Sequence, residues 1–158
     1  MLISLFFIYN EIMKDIAVNR KAFHDYEIEE KFEAGIALVG SEIKSLRNGK
    51  CSLKEAYVSF VYGEALLKGM NISIYKEATY NNHDETRDRK LLLHKKEINK
   101  LANKCKLQGF TVIPLKIYFK DGLVKVEIAL AKGKSLYDKR QSDKQKTMER
   151  AAKAALKR

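Results

Sequence analysis

Ten Lys or Arg residues, at 132, 134, 139, 140, 144, 146, 150, 153, 157 and 158, share the last 27 positions with only three acids, Asp138, Asp143 and Glu149. This stretch carries +7 of the chain's net +11 and leaves a near-neutral body ahead of it. Cations concentrated in this way gather phosphates and release their counterions, while the body escapes self-repulsion as it folds. Two smaller clusters, Asn19-Arg20-Lys21 and Arg87-Asp88-Arg89-Lys90, fall on segments read as loops. There, guanidinium forks can grip phosphates and their planar faces can meet bases. Tyr137 stands among Lys134, Asp138, Lys139 and Arg140 with Leu136 as its apolar neighbour, so a core role is hard to give it and stacking on a base is the coherent alternative. The partner expected from this chemistry is a polyanion. Nucleic acid fits better than an anionic membrane surface, because the tail's apolar residues are mostly alanine and form no amphipathic face.

Catalytic chemistry is missing. No Gly-rich phosphate loop, His-Glu-x-x-His pair or nucleophile elbow is present. His24, His83 and His94 lie far apart, and each has an ordinary place in a turn, a polar loop or a helix start. Cys51 and Cys105 are isolated, with no second ligand at metal spacing, and read as small buried side chains in a reducing cytoplasm. Neither an enzyme nor a metal or cofactor site is expected.

The elements that must position these cations are mainly strands. Between Tyr26 and Val39, Ile28, Phe32, Ala34, Ile36 and Leu38 recur at even positions, the period of a strand burying one face. Residues 41–48 read as a short helix with Ser41 as N-cap and Gly49 as terminator. Residues 56–61 and 64–68 flank Tyr62-Gly63 as a hairpin, and 71–75 follow as an extended piece. The polar stretch 79–90 predicts a surface loop. A helix spans about 94–107, with Gly109 closing it. The strand 110–119, with Pro114 at an edge or bulge, pairs through the Asp121-Gly122 turn with 123–131. So many strands and so little helix argue for an antiparallel sheet closed into a small barrel that hides its edges, a two-layer α+β sandwich being the rival. The tail from Ser142 has high helix propensity but no apolar stripe and many lysines, so it predicts a helix that forms when neutralised. Its length would be about 24 Å.

At 158 residues one domain with appendages is expected: an apolar extension at 1–12, a body at 13–131 and the basic tail at 132–158. The run Met1 to Tyr9 is too short to span a bilayer and lacks a basic leader, so 1–12 is read as an upstream-start artefact, a disordered extension or an extra edge strand.

Four motifs in order, Asn19-Arg-Lys-Ala-Phe-His-Asp-Tyr26, the run from Phe32-Glu-Ala-Gly35 to Arg47, Arg87-Asp-Arg-Lys-Leu-Leu-Leu93 and Ala131-Lys-Gly-Lys-Ser-Leu-Tyr-Asp-Lys-Arg140, resemble the SmpB family, the SsrA-binding proteins of bacterial trans-translation. The likeness covers residues 16–158. It implies an oligonucleotide-binding (OB)-like antiparallel barrel with short peripheral helices and a basic C-terminal tail. It also implies a non-enzymatic cytoplasmic function, namely binding the tRNA-like end of transfer-messenger RNA (tmRNA) and bringing it to stalled ribosomes, with no membrane partner and the protein acting as a monomer.

By the resemblance, tmRNA contacts fall on Asn19, Glu33, Leu92 and Lys125, and the neighbouring Arg20, Lys21, Arg87, Arg89 and Lys90 join them as cations of the same clusters. Glu33 is the unexpected member, since a carboxylate repels phosphate. An acceptor for base amino groups or 2′-hydroxyls, an orienter of a nearby cation and a structural salt bridge all remain open for it. Ribosome contacts fall on Gly133, Tyr137, Asp138, Lys139 and Arg140, with Lys132, Lys134, Lys144, Lys146, Arg150 and Lys153 tracking phosphates through the decoding region and empty mRNA channel. The segment before Met13 departs from the family pattern. Without the resemblance, the same residues would suit a general tRNA or single-stranded RNA chaperone.

Overall fold

A computed structural model of the chain describes residues 13–77 and 82–157. The extension expected at 1–12 lies outside the described residues, as do 79–81 of the expected surface loop and Arg158 of the tail. The elements run β1 (Met13–Val18), α1 (Arg20–Asp25), β2 (Tyr26–Ile36), α2 (Gly40–Arg47), β3 (Cys51–Ser52), β4 (Tyr57–Val61), β5 (Glu64–Lys68), β6 (Asn71–Ile72), β7 (Arg89–Leu92), α3 (Lys95–Gln108), β8 (Thr111–Lys120), β9 (Leu123–Gly133) and α4 (Leu136–Leu156). Every pairing is antiparallel, and the large sheet runs β1-β8-β4-β5-β7-β2-β9 with β9 returning to β8. Six strands therefore form a closed ring of pairings, and β1 extends the free part of the β8 edge. Closure leaves few unpaired backbone groups, an OB-like solution for a sheet with little helix to cover it.

Period-two sequence explains the ring's interior. Phe32, Ala34 and Ile36 of β2 and Val124, Val126, Ile128 and Leu130 of β9 face one main core. Leu101 on α3 and Leu46 on α2 plug that core, and both are almost fully buried. Each such leucine contributes about 2 kcal/mol by leaving water. On β8 the register shifts between Pro114 and Lys116. Across that bulge, Val112 and Ile117 point into the main core while Ile113 and Leu115 join Ala129 and Ala131 in a second, smaller one. The second core lies under α1, which reaches it through Ala22. Alanines at 129 and 131 leave room for that helix to sit close.

Both two-residue hairpin loops have positive φ at each central position: Tyr62 and Gly63 at 50° and 74°, Asp121 and Gly122 at 53° and 78°. That combination marks type I′ turns, whose twist matches the flanking strands. Gly109 closes α3 in the left-handed region, as its position predicts.

Several expectations shift. The N-cap of α2 is Val39 instead of Ser41: the Glu42 carboxylate accepts from the Val39 N–H at 3.0 Å, and the Ser41 hydroxyl is hydrogen-bonded to His83 Nδ1 at 2.9 Å. The extended piece 71–75 pairs only over β6, with β3. Residues 20–25, with Arg20 and Lys21 expected on a loop and His24 in a turn, form the helix α1, too short to show a helical period. Strand β9 runs two residues past Ala131, with Lys132 opposite Glu27 and Gly133 opposite Tyr26. The tail helix begins at Leu136, six residues before the expected start, because Ser135 caps it: its hydroxyl oxygen accepts from the Asp138 N–H at 3.2 Å and donates to the Asp138 carboxylate at 2.6 Å.

Candidate nucleic-acid interface

Gly35 holds the centre of the site. On β2 it stands opposite Leu92 of β7 on one side and Lys125 of β9 on the other. A Cβ added at Gly35 would lie 3.2 Å from the Leu92 Cβ, so the strand pair approaches this closely because the residue is glycine. The three strands and the start of α3 border a groove of about 730 Å³, lined by Glu33, Lys90, Leu92 and Lys125 and, from the first hairpin, by Gly63 and Glu64. Residues read from three separate stretches of sequence thus meet on one concave surface. Leu92 offers the groove an apolar side chain that is 56% exposed.

Glu33 is fixed by protein partners and still half open. The Tyr118 hydroxyl donates to its Oε2 at 2.5 Å and Lys120 Nζ donates at 3.2 Å. The Tyr118 hydrogen bond, helped by Lys120 and Lys125 and opposed by partial burial, holds the Glu33 carboxyl below the usual range. Burial, with Glu33 nearby, pushes the Tyr118 phenol well above its ordinary value, so the phenol remains a donor. Glu33 lies opposite Glu127 across β2 and β9, and the like charges are relieved by Tyr118 and Lys120 on one carboxylate and by Lys31 and Lys116 on the other. A fixed carboxylate at 40% side-chain exposure retains a free lone-pair direction that could accept from a base amino group or 2′-hydroxyl. Lys90 is bridged to Glu64 at 2.9 Å, with both ends about half exposed.

The two outer clusters look different. Asn19 is 5% exposed and caps α1: its Oδ1 accepts from the Ala22 N–H at 3.2 Å, and its Nδ2 donates to the carbonyls of Leu53 and Pro114 at 3.2 and 3.0 Å. The Asn19 amide, expected at a tmRNA contact, is engaged within the fold, while Arg20 and Lys21 beside it are exposed, Lys21 bridging Glu55 at 3.2 Å.

Arg89 is not the loop cation that its polar neighbourhood predicts. It opens β7, is fully buried, and its Nε donates to the equally buried Glu42. Its remaining N–H groups reach the carbonyls of Met70, Asp84, Glu85 and Arg87. Arg87, one-third exposed, donates to the other Glu42 oxygen. Burial raises the Glu42 pKa, but hydrogen bonds from Arg87, the Val39 N–H and Arg89 outweigh it and hold the carboxyl below its usual range. This ionic node anchors α2 to the strand that presents Lys90 and Leu92. Glu42 escaped the sequence reading because the residue three before it is Val39, not the Ser, Thr, Asp or Asn that signals a capping box. Gly35 escaped too, although glycine inside a strand pattern marks close backbone approach.

In the tail, Lys132 Nζ lies 5.7 Å from the centre of the Phe110 ring, and Lys134 donates through its N–H to the Asp25 carbonyl at 2.9 Å and through Nζ to that of Phe23. Lys139 approaches Asp25 at 3.7 Å. Tyr137 is 70% exposed. Arg140, Lys144, Lys146, Arg150 and Lys153 are exposed on α4, which buries none of its side chains. Among the described residues, no group of three or more His, Cys, Asp or Glu could hold a metal, and no helix is long and apolar enough to cross a membrane.

A closed antiparallel sheet with a lysine-bearing groove and a cationic helix is compatible with the OB-like class of nucleic-acid-binding modules. The family model described as SmpB protein matches residues 16–158, and the chain belongs to this family. It is 57% identical over 144 residues to the SsrA-binding protein of Geotalea uraniireducens, covering 91% of this chain and 95% of that one. With the SsrA-binding protein of Sulfurihydrogenibium sp. the identity is 56% over the same length and coverage. A solved structure described as "tmRNA-SmpB: a journey to the center of the bacterial ribosome" superposes with a TM-score of 0.65 at 48% identity, covering 85% of this chain and 95% of that chain.

Proposed function

We propose that this chain binds the tRNA-like part of tmRNA through the groove around Gly35 and brings it to stalled ribosomes in the cytoplasm, acting as a monomer. It works by recognition and performs no catalysis. The observation that carries this reading is the convergence of Glu33, Lys90, Leu92 and Lys125 on one concave face. Lys90 and Lys125 supply phosphate contacts, Leu92 an apolar seat for an unstacked base, and Glu33 a fixed acceptor. Arg20 and Lys21, at the start of α1, add further exposed cations.

The tail serves the second partner. At 21 residues α4 is about 31 Å long, and its unpacked lysines and arginines suit a path lined by ribosomal RNA in the decoding centre and empty mRNA channel. Gly133, Tyr137, Asp138, Lys139 and Arg140 lie where strand gives way to helix, so they set its direction.

The test is a salt titration of binding to the tRNA-like domain of tmRNA and to an ordinary tRNA, with the full chain and with a chain ending at Gly133, which completes β9. The expected result is a preference for the former RNA that survives both rising salt and tail removal, while ribosome association is lost with the tail. A preference that disappears with salt or with the tail would make the protein a general RNA chaperone.

A further inference from the structure

The two type I′ hairpins are built on the same plan with different residues. The β8–β9 turn uses Asp121-Gly122, the kind of pair that tolerates positive φ, whereas the β4–β5 turn places Tyr62 at φ 50° before Gly63. A bulky L side chain is strained in the left-handed region, and an aromatic there is an outlier that asks for a reason. Packing does not supply one. Tyr62 is 101% exposed, as open as in an unfolded chain, so its ring stabilises nothing in the folded body.

Its position supplies the reason. The next two residues, Gly63 and Glu64, line the RNA groove, and Glu64 is bridged to Lys90 on the same wall at 2.9 Å. The hairpin is held in register with β7 through Ala65 opposite Leu91 and Leu66 opposite Lys90. The tip is thus a stiff bracket that sets a bare phenol ring at the rim of a surface carrying cations and an apolar leucine. A flat ring on a rigid support, next to phosphate-binding lysines, is the composition of a stacking platform for unpaired bases.

We propose that Tyr62 is a base-stacking contact at the rim of the groove, taking an unpaired nucleobase of the bound RNA. The proposal rests on the groove reading given above. Stacking is indifferent to base identity and adds no ionic contact, so Tyr62 supplies affinity without salt dependence.

The experiment compares Tyr62→Asn, Tyr62→Phe and Lys125→Ala in the full chain, measuring affinity for the tRNA-like domain of tmRNA across a salt series, together with thermal unfolding. Asn suits the turn, so Tyr62→Asn should melt no lower than the parent while its affinity falls about 5- to 150-fold with an unchanged salt slope. Tyr62→Phe should restore the affinity that Tyr62→Asn loses. Lys125→Ala should weaken binding and reduce the salt slope by about one. If Tyr62→Asn binds within about twofold of the parent while Lys125→Ala weakens, the stacking role is overturned and the groove stands. If neither variant weakens binding, the groove reading falls and the stacking proposal falls with it.

Discussion

His24 Nε2 lies 2.7 Å from Asp143 Oδ1, 119 residues further along the chain, while Nδ1 of the same ring lies 2.8 Å from Asp25 Oδ1. A neutral imidazole has one N–H and can donate to one of these carboxylates, whereas the charged ring donates to both. With Lys139 near Asp25 and the Lys134 N–H on the Asp25 carbonyl, this bridge ties the first turns of α4 to the end of α1. Nothing on α4 is buried, so polar contacts decide how its start is oriented.

Asp143→Asn is therefore expected to loosen the start of α4 without harming the body. Amide exchange at 139–147 should accelerate, while global stability changes by at most about 0.5 kcal/mol, because Asp143 is 59% exposed and well screened. The same contacts give a pH signature. The His24 hydrogen bond, with Lys139 and Lys21 assisting against some burial, holds the Asp25 carboxyl below its usual range. A depressed carboxylate contributes its stabilisation fully above the ordinary value of about 4 and loses it as pH falls through the lower folded value. NMR of the Asp25 carboxyl should show its contact with Lys139 intact at neutral pH and weakening only as pH falls below the ordinary carboxylate range.

Glu42→Ala should be among the most damaging single changes in the body. It strands a fully buried Arg89 guanidinium and removes the partner of Arg87, which costs about 3–5 kcal/mol. Urea unfolding checks this, and a loss under about 1 kcal/mol would show that Arg89 finds sufficient compensation in the backbone carbonyls around it.

Gly35→Ala should perturb the groove directly. The new methyl would press on Leu92 at 3.2 Å, so either Leu92 shifts or the β2–β7 pair opens. The expected cost is about 1–3 kcal/mol in chemical denaturation, with weaker binding to the tRNA-like RNA. Unchanged stability and affinity together would mean that Leu92 moves aside freely.

The thiols should be sluggish. Burial pushes the Cys51 thiol up to about 11 despite the nearby Arg89 charge, and burial raises Cys105 as well. At pH 8 the thiolate, the reactive form, is scarce at Cys51. Iodoacetamide followed by mass spectrometry should label Cys51 far more slowly in the native protein than in urea.

Much of the frame was legible in local pattern. Alternation through Phe32, Ala34 and Ile36 reports which face of β2 is buried, Asp121-Gly122 reports a hairpin, and Gly109 a helix end, because each signal lies within a few residues of the structure it encodes. The charge division between body and tail is composition and needs no fold. The motifs carried Glu33, Lys90 and Leu92 by resemblance, and Lys125 came from the family pattern outside them. Long-range pairing carried no such signal. Arg89 meets Glu42 across 47 positions and Asn19 meets Pro114 across 95, so side chains that look like free RNA ligands in their own neighbourhoods are consumed by distant partners. Closure of the ring, the bulge that divides β8 between two cores and the line from Leu92 through Gly35 to Lys125 arise only when strands remote in the chain are placed side by side. Periodicity records which face of a strand is dry; packing chooses what lies against it.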